Sequence, residues 1–441
     1  MRRRLVFLGA AAALAAAALL LAAALRGTSP RTARAAVPAS AAGEASQVAS
    51  DYSIGGTATQ VVSRLQAQLH ANGDDANSWA RLGIAYEQRA RETGDPAYYG
   101  KADGALQRAL RLAPADLVAT SGLGSLALSR HRFREALRLG RAAHRLAPGV
   151  AGPYAIVGDA LVELGRYRAA FDAFDTLARL KPGLTAYARV AYGRELVGDT
   201  VGAIAAMRMA VDAATAEREP AAWTRWQLGK LYWSVGRLGA AASQYRAALA
   251  VFPGYVYALD ALAQVEAARG RLATAIGLER RAVDRMPLPQ FVSDLGDLYR
   301  VSGQPRSARR EYELIAVIRR LLVANGVKTD LETALFHVDH GLGLRETLAL
   351  ARQARRERPS VDGDDVLAWA LARNGRCGEA QRYSKLALRL GTRDALKYFH
   401  RGMIERCLGD GAAARAWFAR ALALNPHFSL LWSPVAREAL R

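Results

Sequence analysis

The stretch LGKLYWSVGRLGAAASQYRAALAVFP, residues 228–253, decides the fold. Gly236 stands where a first helix stops, because glycine tolerates the left-handed conformation that caps a helix. Ala241 follows five residues later and is small enough to let two helices cross closely. Pro253 comes twelve residues after Ala241 and lacks the N–H that would continue a helix, so it marks the boundary with the next unit. The stretch reads as helix, turn, helix, boundary.

The same frame recurs outward in both directions. Alanine stands at 102, 136, 170, 203, 241, 275, 308, 380 and 414, with Thr347 filling the one gap, a step of about 34 residues. Seven of these alanines follow a glycine five residues upstream, at Gly165, Gly198, Gly236, Gly270, Gly303, Gly375 and Gly409. Prolines 114, 148, 182, 253, 287 and 426 each lie twelve residues beyond such an alanine. Units that bury their apolar faces only against neighbours make one continuous array rather than several domains.

LGIAYEQ at 82–88 and RGMIERCLGDGAAARAWFARALALNP at 401–426 share this frame, and the pattern resembles the tetratricopeptide repeat. Trp79, Leu82, Gly83, Tyr86, Ala102, Leu106, Ala109 and Pro114 occupy the signature positions in the first unit. The resemblance covers about 76–426 and implies an all-α, right-handed superhelical solenoid of about ten helix-turn-helix repeats over 57–426. Residues 58–70 read as the second helix of a partial unit, and 427–441 as a terminal capping helix from Phe428 to Leu440. Three departures stand out: extra residues from Glu92 to Tyr99, a longer link at Thr215 to Ala221, and a unit around 328–359 that lacks the usual glycine and alanine and is expected to pack irregularly.

In WTRWQLGKLYW, residues 223–233, Trp226 and Trp233 fall within roughly 20° of each other on a helix, with Trp223 and Lys230 on the same side. Leu228, Leu231 and Tyr232, the expected core stripe, lie on the other side. In the family the first helix of each pair lines a concave surface. The resemblance therefore implies a groove for a protein or peptide at Tyr192, Trp223, Trp226, Lys230, Trp233, Asp260 and Gln264. The competing reading is that these tryptophans fill gaps between adjacent first helices.

The chain has 441 residues and a formal charge of +21, with 61 basic and 40 acidic residues. Such a charge suits a polyanion, but no arginine run with interleaved aromatics supports nucleic acid, and an Arg- and Ala-rich bias also arises from a GC-rich genome. MRRRLVFLGAAAALAAAALLLAAALRG opens the chain with a basic cluster and an uncharged apolar run from Leu5 to Leu25, the pattern of an export signal. Residues 1–35 are thus a signal peptide or a single-pass anchor with an N-terminal apolar helix, and 36–56 a flexible linker. The expected setting is bacterial and extracytoplasmic, membrane-anchored or secreted.

No motif for catalysis, metal or phosphate binding is present, so neither enzymatic activity nor a cofactor is expected. His337, Asp339 and His340 in FHVDHGLG read as a polar turn between helices rather than metal ligands. Asp362, Asp364 and Asp365 in VDGDD read as favourable charge at a helix start. In the repeat geometry, Cys377 and Cys407 fall on the same edge of adjacent packed helices, where a disulfide is possible but two reduced thiols are nearly as well accommodated. The functional expectation is a non-enzymatic scaffold that binds a protein or peptide. The alternative is a non-catalytic subunit or assembly chaperone of an envelope enzyme complex.

Overall fold

The computed structural model describes residues 58–214 and 218–441. The expected signal or anchor and the linker lie outside them. Among the described residues no helix is long and apolar enough to cross a membrane.

The described residues form 22 helices. A single helix, α1 (Ala58–Ala71), precedes ten pairs. The first five are α2 (Ala76–Thr93) with α3 (Ala97–Leu112), α4 (Leu117–Ser129) with α5 (Phe133–Leu146), α6 (Gly152–Glu163) with α7 (Tyr167–Leu180), α8 (Leu184–Leu196) with α9 (Thr200–Asp212), and α10 (Arg218–Ser234) with α11 (Leu238–Val251). Next come α12 (Val256–Ala268) with α13 (Leu272–Arg285), α14 (Pro289–Val301) with α15 (Pro305–Ala324), and α16 (Asp330–His340) with α17 (Leu344–Glu357). The last pairs are α18 (Val361–Arg373) with α19 (Cys377–Ala387) and α20 (Ala395–Cys407) with α21 (Gly411–Leu424); α22 (Trp432–Glu438) closes the chain.

The repeated residues do what their chemistry suggests. All seven glycines of the Gly-Ala element sit in the left-handed region, from φ 69° at Gly165 to φ 85° at Gly409. His131 takes the same place in its pair at φ 55°, which the sequence did not flag. The alanines at the crossings are buried, and so is Thr347, whose hydroxyl donates to the Leu342 carbonyl at 2.9 Å. A Cβ at Gly229 would come within 2.4 Å of the Tyr245 ring, so this first helix has room for its partner's aromatic only because residue 229 has no side chain.

Each closing helix packs closely on the opening helix of the next pair except α15, whose backbone stands off from α16 and meets it through side chains, Tyr312 lying on Phe336 and His340 with ring centres 5.8 and 4.5 Å apart. The irregular unit is thus a wider seam in the array. The extra length goes into α15, which runs for 20 residues.

The pairs after this seam return onto pairs near the start. His131 Nδ1 lies 2.8 Å from the Lys328 carbonyl, 197 residues away. Arg358 reaches Glu163 and also Glu332, the latter at 2.9 Å. The Val361 N–H donates to the Tyr167 hydroxyl at 2.7 Å, Thr392 donates to the Leu196 carbonyl, and Asn425 Nδ2 donates to the Trp233 carbonyl at 2.9 Å across 192 residues. The separation holds nearly constant over four successive pairs. That is the signature of one superhelical turn stacked on another, the turns inside the early pairs meeting the links between the later ones.

Candidate functional site

The first helices bring Trp226, Lys230 and Trp233 together on α10, as the wheel predicted, beside Asp260 and Gln264 on the neighbouring α12. Lys230 Nζ sits 4.8 Å from the centre of the Trp226 ring and donates to Gln227 Oε1 at 2.8 Å, while Tyr257 packs on the same indole with ring centres 5.0 Å apart. Tyr192 does not join them. It packs against the core that contains Phe174 and Val361, and burial pushes its phenol well above the usual range.

The expectation of an exposed aromatic patch is corrected by the structure. Trp223 and Trp226 are 2% exposed, Trp233 7%, and Gln264 0%. The three tryptophans lie in one core with Ala188 and Ala191 of α8 and Ala258 and Leu262 of α12, so they fill the gaps between adjacent first helices, as the competing reading has it. Asn425 holds the Trp233 carbonyl, and Leu430 packs on the core of Ala263, Ala267 and Leu298. The terminal helix, shorter than expected, covers the last pair through Ala436, with Phe428 of the preceding segment beside it, but it also reaches inward. Trp432 packs edge-on against Trp369 and stacks with Phe399, and its indole N–H donates to Asp339 at 3.0 Å.

The covered strip is not fully satisfied. The indole nitrogens of Trp223, Trp226 and Trp233 and both amide atoms of Gln264 have no hydrogen-bond partner among the described residues. Unpaired buried polar groups cost free energy and are the exception in folded proteins.

Elsewhere the interior holds ion pairs that the sequence reading missed. Asp159 and Arg189 pair through two contacts of 2.9 and 2.6 Å. Burial pushes Asp159 up, against the opposing pull of Arg189. Glu87, raised by burial, accepts from Ser125 at 2.8 Å and Ser129 at 2.7 Å. Asp362 and Asp364 do stand in the first turn of α18, as expected of charge at a helix start, but with Asp365 they are also buried. They are buried partners of Lys397 (2.6 Å), of Arg355 and Arg389 (2.9 and 2.6 Å), and of His400 (3.0 Å), while Ser360 supplies the cap. Burial alone would lower the Lys397 ammonium, but Asp362, Asp394 and Asp365 outweigh it and raise it. The available signal was the recurrence of acids at first-helix positions that ought to be apolar.

His337, Asp339 and His340 lie in α16 rather than in a turn. Asp339 accepts from the indoles of Trp369 and Trp432, and His340 Nε2 lies 2.9 Å from Asp297. Among the described residues no group of three or more potential ligands is placed to hold a metal. Cys377 and Cys407 have Cα atoms 5.7 Å apart, within the span of a disulfide, and their sulfurs are joined.

No family model and no curated protein sequence matches the chain. Among solved structures it is similar to TTC0263, a thermophilic TPR protein of Thermus thermophilus (24% identity, 46% of this chain and 98% of that one, TM-score 0.37). It is similar also to YrrB, a TPR protein with an unusual peptide-binding site (20%, 43% and 96%, 0.29), and to a tetratricopeptide repeat protein from Parabacteroides merdae (18%, 58% and 97%, 0.34). At these scores the likenesses say nothing about function. The helix pairs, their left-handed glycines and their buried alanines make this chain a helical repeat array.

Proposed function

We propose that the chain is a non-enzymatic, extracytoplasmic scaffold that binds a protein or peptide partner on its concave face. The observation that carries this reading is the strip of unpaired donors and acceptors at Trp223, Trp226, Trp233 and Gln264. An extended peptide offers a row of carbonyl and N–H groups that would satisfy them, and aromatic side chains supply the contact area typical of such sites. The neighbouring first helices that bury these side chains, and Asn425 on the Trp233 carbonyl, would have to yield on binding. The apolar run from Leu5 to Leu25 supports export, with retention at a membrane or cleavage as the two outcomes.

The test is capture of partners from an envelope fraction by the full chain, compared with Gln264→Leu. Removing a buried amide that has no partner should leave the fold intact or firmer, so reduced recovery of one defined protein with unchanged thermal unfolding supports the strip. Unchanged recovery contradicts it. An enzyme recovered at stoichiometric level would favour the subunit or chaperone reading. A fusion past residue 60 to a reporter active only after export checks the location, and activity of the cytoplasmic reporter alone would refute it.

A further inference from the structure

The wide seam between α15 and α16 leaves a cavity of about 170 Å³, bounded by both superhelical turns. Its walls are mainly apolar: Tyr99, Tyr257 and Met286 face Ile315 and Leu322 of α15 and Phe336 of α16. A void near 150 Å³ with such walls holds a benzene-sized body, so this one has room for a single ring or a short acyl segment.

Three arginines, Arg91, Arg285 and Arg319, and three carboxylates, Glu92, Glu219 and Glu332, line the cavity. Each carboxylate lies near a cation other than Arg285 and Arg319: Glu219 near Arg91 at 3.7 Å, Glu332 with Arg358 at 2.9 Å, and Glu92 near Arg89 at 3.9 Å. Neither Arg285 nor Arg319 makes an ion pair among the described residues. Arg285 is exposed and Arg319 half-exposed, so they mark the solvent side. Deeper in, the hydroxyls of Tyr255 and Thr329 are buried without a hydrogen-bond partner.

We propose that this cavity binds a small apolar carboxylate of the medium-chain fatty-acid class, its chain among the aromatic and aliphatic walls and its carboxylate at Arg285 and Arg319. Arginine is suited to that head because its planar fork meets a carboxylate through two parallel hydrogen bonds. Such a ligand would touch α15 and α16 together and fill the space between them. The inference does not depend on the peptide-binding reading.

Octanoate is the probe, titrated into the full chain by calorimetry, with 1-octanol as the neutral control. The expected result is saturable binding of one octanoate per chain, with octanol weaker by about tenfold or more. Replacing both arginines, Arg285→Gln with Arg319→Gln, should bring octanoate down to the octanol level and leave octanol unchanged. Leu322→Trp, which fills the void, should abolish both, with circular dichroism confirming the helices. No saturable binding of octanoate, equal affinity for octanol, or octanoate affinity untouched by the paired glutamine variant would each overturn the proposal.

Discussion

The helices from α2 to α15 and those from α16 to α22 use the same pair of elements but are held in place differently. In the first region every closing helix packs on the next opening helix, and contacts run between neighbours about 34 residues apart. In the second region that link is looser at its start, carried by Tyr312 on Phe336 and His340 and by His340 on Asp297, and the block is tied as well by contacts spanning 192 to 197 residues. The difference teaches that a repeat array can tolerate a loosened nearest-neighbour seam when superhelical closure adds another.

The strongest way to break this comparison is to remove Arg358, which stands between buried Glu163 and Glu332. Arg358→Ala leaves two buried carboxylates without their cation, so a loss of roughly 3–5 kcal/mol is expected in urea unfolding. A loss confined to α16–α22 would show that turn stacking holds the second region. Next in size is the disulfide, which lies wholly within that region: replacing Cys377 and Cys407 by serine releases a loop of 30 residues. It should cost roughly 3–4 kcal/mol in the chain-entropy model, and non-reducing mass mapping of the purified protein checks the pairing itself.

The neighbour contacts were legible because they are local. Gly165, Ala170 and Pro182 announce a turn, a crossing and a boundary within one unit, and each behaves as its chemistry requires. The stacking was not legible. Nothing near Glu163 in sequence says that its partner is Arg358, because that pairing depends on the pitch summed over about six pairs. The site was misread for a different reason: the wheel set Trp226 and Trp233 apart from Leu228 and Leu231, but both sides of α10 are buried in one core with the neighbouring first helices.

A smaller effect sharpens the comparison. Thr392→Val removes the hydroxyl that donates to the Leu196 carbonyl across the stack, and should cost about 1–3 kcal/mol by leaving a buried acceptor unpaired. Gly270 has nothing within 4 Å of where a Cβ would stand and makes no such bond, so changes there report local helix capping alone.

The last effect is one of pH dependence and concerns Lys397. Its ammonium is raised above 10.5 by Asp362, Asp394 and Asp365 despite burial. The folded state therefore holds that proton more tightly than the unfolded chain. The resulting stability is fully present below pH 10.5 and is lost as pH rises beyond it toward the folded value. Unfolding midpoints should fall more steeply above pH 10.5 in the native chain than in Lys397→Met, and parallel curves would refute the assignment.

Closure itself is tested most directly by joining the two turns. Arg134 and Arg356 are both exposed, and the Arg134 guanidinium donates to the Arg356 carbonyl at 2.8 Å across 222 residues. With cysteine at both positions, a short bis-maleimide should link them within one chain rapidly and in high yield, as seen by mass mapping under dilute conditions. An open array, in which the second region does not return onto the first, would give only single-site adducts, and that result would contradict the account.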